Sequence, residues 1–193
     1  MTAERATERM DVDAFLAWSL GKPDRYELLD GAPHMMARAK RRHDRVVTNV
    51  LFLLRGQLSG KPCEPFSGDT AVVIPNGNVR LPDAGVDCGQ ADDEDLKASD
   101  PRLVVEVLSP STRYFDMFGK LDEYKTVPTM AYIVLIDPDA PQATVWSRAG
   151  AEWTFATVRG LDAVISLPAL DLTLPLSELY ARVAFQPGPR LVT

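Results

Sequence analysis

Residues 102–112 read RLVVEVLSPST, an almost continuous apolar run that leads into a helix-start signature. A run of this kind is the pattern of a β-strand covered on both faces, which belongs in the middle of a sheet. It also contains Glu106, set among Val104, Val105, Val107 and Leu108. Burying an ionised carboxylate costs several kcal/mol unless a cation or strong donors accompany it, so Glu106 needs a partner. A metal ion, an arginine or lysine, or solvent at an open strand end would each serve.

The rest of the chain surrounds that strand with elements of both kinds. DVDAFLAWSL places Val12, Phe15, Leu16 and Leu20 on one helical face behind Asp11, a suitable N-cap. Asp30-Gly31 predicts a tight hairpin turn between strands at 25–30 and 33–37. VVTNVLFLLRGQL has helical spacing and ends near Gly60 and Pro62. CEPF, TAVVIP and AGVDCG read as extended segments, STRYFDMFGKLDEYKTV as a helix closed by Pro128, and MAYIVLIDP as a second buried strand. QATVWSR and EWTFATV form an outer β-hairpin, and PLSELYARV a short closing helix. The expected fold is therefore of the α/β (α+β) class, a mixed β-sheet flanked by helices.

At 193 residues the chain is expected to form a single domain over 1–185, with 186–193 a flexible C-terminal tail. No stretch approaches the ~18 apolar residues of a membrane helix, and the polar start MTAERATERM is unlike a signal peptide, so a cytoplasmic location is expected. Cys63 and Cys88 lie far apart without a CxxC or histidine-rich spacing, which favours buried reduced thiols over a disulfide or a zinc site. A net charge of −6 argues against nonspecific coating of nucleic acid through a broad positive surface, but not against a local basic site.

One such local feature is the run Arg38, Lys40, Arg41, Arg42, His43, Arg45 at a helix start. Positive side chains there oppose the macrodipole at about 0.3 to 1 kcal/mol each, so an anion is wanted nearby. A phosphate backbone would serve, as would balance by the acidic loop QADDEDLKASD.

Asp83 follows Pro82 at the entry of an extended segment, where the fixed φ of proline holds it in a rigid place. If its strand neighbours that of Glu106, the two carboxylates repel each other unless a divalent cation lies between them, and oxygen ligands of this type suit magnesium or manganese. The bland alternatives are a turn aspartate and a strand-end glutamate paired with a cation. A lysine is wanted beside such a metal, and the helix after the strand supplies Lys120, which could equally be a solvated face residue. Glu27 reads by itself as a solvent-facing strand residue, and His43 as a capping or surface residue.

The pieces YELLDG, His43, LPD at 81–83, VVEVLSPST and FGKLDEYK, in that order, resemble the Uma family of putative restriction endonucleases, within the PD-(D/E)XK phosphodiesterase superfamily. The resemblance runs from about Tyr26 to Val145. It implies a restriction-endonuclease-like fold in which Asp83 and Glu106 hold magnesium or manganese, with the Val107 carbonyl as a third ligand. It further implies that Lys120 assists attack of water on a phosphodiester, that Glu27 takes the early-glutamate role by ligating directly or through water, and that His43 faces the site or a phosphate. The third position of the E-x-K motif is Leu108 here, and the lysine sits on the next helix.

The expected function is a magnesium-dependent endonuclease acting on nucleic acid, with DNA as the substrate. Lys40, Arg41, Arg42 and His43 are the expected nucleic-acid contacts. A homodimer would most easily present two sites for double-strand cutting. The rival is a noncatalytic nucleic-acid-binding or assembly module that keeps the fold.

Overall fold

The computed structural model describes residues 9–90, 92–108 and 115–185. Its centre is a six-stranded sheet built from β3 (Glu64–Ser67), β6 (Ala84–Asp87), β7 (Pro101–Val107), β8 (Tyr132–Asp137), β9 (Gln142–Ala149) and β10 (Glu152–Arg159), in the order β10-β9-β8-β7-β6-β3. The apolar run containing Glu106 is β7, in the interior of the sheet. Only β7 and β8 pair in parallel. A parallel pair needs a crossover, and α3 (Phe115–Thr126) lies on that connection.

Both faces of this sheet are covered, which is why β7 reads as apolar at nearly every position. Helix α2 (Arg41–Leu58) buries Val46, Val50, Leu53, Leu54 and Leu58 against the side carrying Leu103, Val105, Val107, Val134 and Ile136. On the other side Leu121 and Tyr124 of α3 pack with Val104, Ile133 and Leu135. Glu106 follows the alternation and belongs to the α3 side.

A second, four-stranded sheet has the order β2-β1-β5-β4, from β1 (Tyr26–Leu29), β2 (Ala32–Met35), β4 (Val72–Val73) and β5 (Val79–Arg80). Asp30 and Gly31 turn the β1–β2 hairpin with φ of 49° and 77°, the positive values that this dipeptide tolerates. Helix α1 (Val12–Ser19), capped by Asp11 accepting from the Ala14 amide at 2.8 Å, covers one face through Phe15, Leu16, Leu28 and Val79. Three residues, Leu81–Asp83, carry the chain from β5 in the small sheet to β6 in the large one. That short passage sets the two sheets around a common site.

One expectation is corrected and one element is added. Cys63 and Cys88 are not separate reduced thiols but a disulfide, with Cα atoms 4.0 Å apart. The reason is register: β3 and β6 are antiparallel with Glu64 opposite Asp87, so the cysteines fall on the next rung, which spacing along the chain does not reveal. The segment around 164–175 also holds an unexpected hairpin, β11 (Val164–Leu167) and β12 (Leu172–Pro175), which leads into α4 (Leu176–Leu179) and packs beside α2. The helix start expected at Ser109-Pro110-Ser111 and the tail at 186–193 lie outside the described residues. No helix among the described residues is long and apolar enough to cross a membrane.

Candidate active site

The site forms where α2, α3 and the two sheets meet. The antiparallel register of β6 and β7 sets Ala84 opposite Val105. Asp83 immediately precedes Ala84, so continuing the register by one residue brings it beside Glu106 at the end of β6. Asp83 Oδ2 accepts the Val107 amide at 2.7 Å, which fixes its carboxylate against the end of β7.

Helix α3 supplies three side chains at i, i+3 and i+4, one face of a helix. Lys120 Nζ lies 3.0 Å from Glu27 Oε1 and 3.5 Å from Glu106 Oε1. Tyr124 donates its hydroxyl to Glu106 Oε1 at 2.8 Å. Glu123 turns toward the small sheet, where its Oε2 pairs with Arg80 Nε at 2.5 Å. Lys120 is only 8% exposed, so it is not the solvated helix residue that its position in the sequence allows.

The small sheet contributes Glu27 and Arg80. Leu28 pairs with Val79, so Glu27 and Arg80 are cross-strand neighbours on the next rung, on the face away from α1. Arg80 Nη1 donates to Glu27 Oε2 at 2.9 Å, and the Leu81 amide donates to Glu27 Oε1 at 3.1 Å. Glu27 is 6% exposed, buried among donors and not facing solvent.

His43, in the first turn of α2, brings Nε2 to 3.1 Å from Asp83 Oδ2. Burial lowers the proton affinity of this imidazole, but the hydrogen bond and charge of Asp83, the charge of Glu106 and a bond to the Val107 carbonyl outweigh it, and its pKa is raised. Glu106 is pushed up to about 7, first by burial and then by Asp83 and Glu27, against the opposing pull of Lys120 and the Tyr124 hydroxyl. Among the described residues four carboxylates, Glu27, Asp83, Glu106 and Glu123, meet two permanent cations, Arg80 and Lys120, and the imidazole of His43.

The fold thus brings Glu27, Asp83, Glu106, Lys120 and His43 together, with the backbone of Val107 among them. The basic run separates into different environments. Lys40 and Arg41 are exposed at the start of α2, whereas Arg42 is engaged with Asp139 Oδ1 at 2.7 Å and the Ala184 carbonyl at 2.9 Å. His34 lies opposite Glu27 in the hairpin and is exposed. Three site residues, Tyr124, Glu123 and Arg80, were not expected from the sequence. Tyr124 reads in the sequence as an apolar helix position and, like Glu123, as a neighbour of Lys120 on a solvated helix, and its spacing of four from Lys120 puts both on one face. Arg80 sits in a two-residue strand, and its only signal was a charged residue in the apolar stretch leading to Asp83.

Comparison with known proteins bears on the family and the fold. Residues 12–177 match the family model Uma2, described as putative restriction endonuclease. Two uncharacterized proteins of Synechocystis sp. are related along most of their length. One, slr1290, is 26% identical over 183 residues, 92% of this chain and 94% of the relative. The other, sll1609, is 26% identical over 154 residues, covering 77% and 87% respectively. In three dimensions the fold matches the crystal structure of a putative nuclease belonging to DUF820 from Anabaena variabilis, with a TM-score of 0.69 over 89% of this chain and 97% of that one, at 16% identity. The likeness shows a shared restriction-endonuclease-like fold. With the family model spanning most of its length, the chain belongs to the Uma2 family of putative restriction endonucleases.

Proposed function

We propose that this protein is a divalent-metal-dependent nuclease that hydrolyses phosphodiester bonds of DNA, with the metal held by Asp83, Glu106 and the Val107 carbonyl. The observation that carries this reading is the Asp83 carboxylate held on the Val107 amide at 2.7 Å, next to Glu106, with the Lys120 ammonium 3.5 Å from Glu106. Among the described residues no three His, Cys, Asp or Glu side chains converge into a complete metal cage. The protein would therefore supply two carboxylates and one carbonyl, an oxygen set that suits magnesium or manganese, ions that retain several waters. Among the described residues the carboxylates outnumber the permanent cations, which supports the fit. A Glu106 carboxyl raised to about 7, chiefly by burial and despite Lys120, is a group that a divalent cation would further favour in its ionised form.

When bound, such an ion lowers the pKa of a coordinated water and offsets charge on the phosphoryl oxygens. Lys120 orients the attacking water beside Glu106. Tyr124 holds the Glu106 carboxylate in place through Oε1. His43, protonated against Asp83, adds positive charge at the mouth of the site, and Lys40 and Arg41 contact backbone phosphates without reading sequence.

The test is incubation of purified protein with plasmid, single-stranded DNA and RNA in magnesium or manganese, with EDTA as the control. Metal-dependent cleavage of DNA is the expected result. Nucleic-acid binding without cleavage of any substrate would instead favour a noncatalytic binding module.

A further inference from the structure

The Arg80 guanidinium is 8% exposed and spends two different nitrogens on two carboxylates from separate parts of the fold. Nη1 holds Glu27 Oε2 at 2.9 Å, and Nε holds Glu123 Oε2 at 2.5 Å. The other oxygen of Glu123 accepts from Asn78 Nδ2 at 2.5 Å, and Asn78 Oδ1 in turn accepts the Asp30 amide at 2.8 Å. A continuous chain of polar contacts therefore runs from the β1–β2 turn through Asn78, Glu123 and Arg80 to Glu27. It ends at the Lys120 ammonium, 3.0 Å from Glu27 Oε1. Lys120 and Glu123 lie on one face of α3, so the helix touches both ends of this chain.

Both oxygens of Glu27 are occupied by donors: Oε1 by Lys120 and the Leu81 amide, Oε2 by Arg80. A carboxylate engaged in this way is poorly disposed to ligate a metal and well disposed to seat a lysine. We infer that Arg80 is a positioning residue which, by bridging Glu27 and Glu123, fixes Glu27 as the seat of the Lys120 ammonium, so that Glu27 acts on the lysine and not as a metal ligand. Arginine suits this bridge because separate nitrogens of one planar, rigid fork reach the two carboxylates at fixed geometry, whereas a lysine would bring a single nitrogen on a flexible stem. The kinetic part of the inference rests on the nuclease reading, whereas the positioning part does not.

Arg80→Lys and Glu123→Gln are the direct variants. The double variant Arg80→Met with Glu123→Gln removes both buried charges of that pair and guards against a single variant that fails to fold. The first measurement is the 15N NMR signal of the Lys120 ammonium, identified by its loss in Lys120→Arg. It is expected to be ordered and slowly exchanging in the wild type and averaged in each of the three variants. The second is manganese affinity by calorimetry, expected to change in Arg80→Lys and in Glu27→Gln by much less than the roughly 10- to 100-fold loss that follows when a group holding a metal ligand is removed, because both residues act on Lys120. The third is cleavage, where kcat is expected to fall by about 10²-fold in Arg80→Lys with KM nearly constant. An unmoved Lys120 signal in folded variants would overturn the inference, as would a loss of manganese affinity of about tenfold or more in Glu27→Gln. If the wild type cleaves nothing, the nuclease reading fails, and the NMR signal still decides whether Arg80 positions the lysine.

Discussion

Tyr124 donates its hydroxyl to Glu106 Oε1 over 2.8 Å, from a ring that is completely buried. That bond favours the ionised carboxylate, the form that binds a cation. In Tyr124→Phe the carboxyl should rise further above its present value of about 7. Manganese affinity at pH 7 is then expected to fall about five- to tenfold, and the difference should shrink at pH 9, where the carboxylate forms regardless. Calorimetric titration at the two pH values checks this.

Glu106 also makes stability depend on pH. Its carboxyl is raised in the folded protein from an ordinary value of 4.5 to about 7, chiefly by burial. A group raised in this way contributes stability that is complete below the ordinary value and is lost as pH rises through about 7. Glu106→Gln cannot lose that contribution. Relative to the variant, the metal-free wild type should lose on the order of a few kcal/mol between pH 4 and pH 8.5 in urea denaturation. Parallel curves for the two proteins would contradict the assignment of the burial cost to this residue.

The disulfide closes a sequence separation of 25 residues between β3 and β6. Chain-entropy reasoning assigns a loop of that size about 3 kcal/mol, so reduction or Cys63→Ala with Cys88→Ala should lower unfolding stability by roughly that amount. The two strands stay paired through their backbone ladder, and the site lies at the other end of β6. Metal affinity should therefore be preserved under conditions where the reduced protein remains folded.

At the start of α2 the basic side chains should separate by function. Lys40→Ala and Arg41→Ala, both exposed, are each expected to lower the salt dependence of DNA binding by about one unit of slope. Arg42 is committed to Asp139 and Ala184, so Arg42→Ala should act on thermal stability more than on the slope. Binding titrations across a salt series, with melting curves for each variant, separate the two effects.

The parts of this protein that were legible in its sequence are those fixed by local pattern. The apolar run around Glu106 announced a strand covered on both faces, and Asp30-Gly31 announced a hairpin. The order YELLDG, LPD, EVLSPST suggested the family, and with it the grouping of Asp83, Glu106 and Lys120. What stayed hidden depends on contacts between elements distant in the chain. Arg80 acquires meaning only because a three-residue passage joins the two sheets beside Glu27 and places α3 within reach. Cys63 and Cys88 become partners only through the register of β3 against β6. Glu27 looked solvent-facing because alternation along one strand does not say which face another layer covers.

The central claim is that Asp83, Glu106 and Lys120 form one hydrolytic site, and the rate of metal-dependent DNA cleavage in matched preparations tests it most directly. Asp83→Asn, Glu106→Gln and Lys120→Met should each retain the fold and lower the rate by about 10²-fold or more, since each removes a charge from the reacting centre. Cleavage at the wild-type rate in all three folded variants would contradict the account.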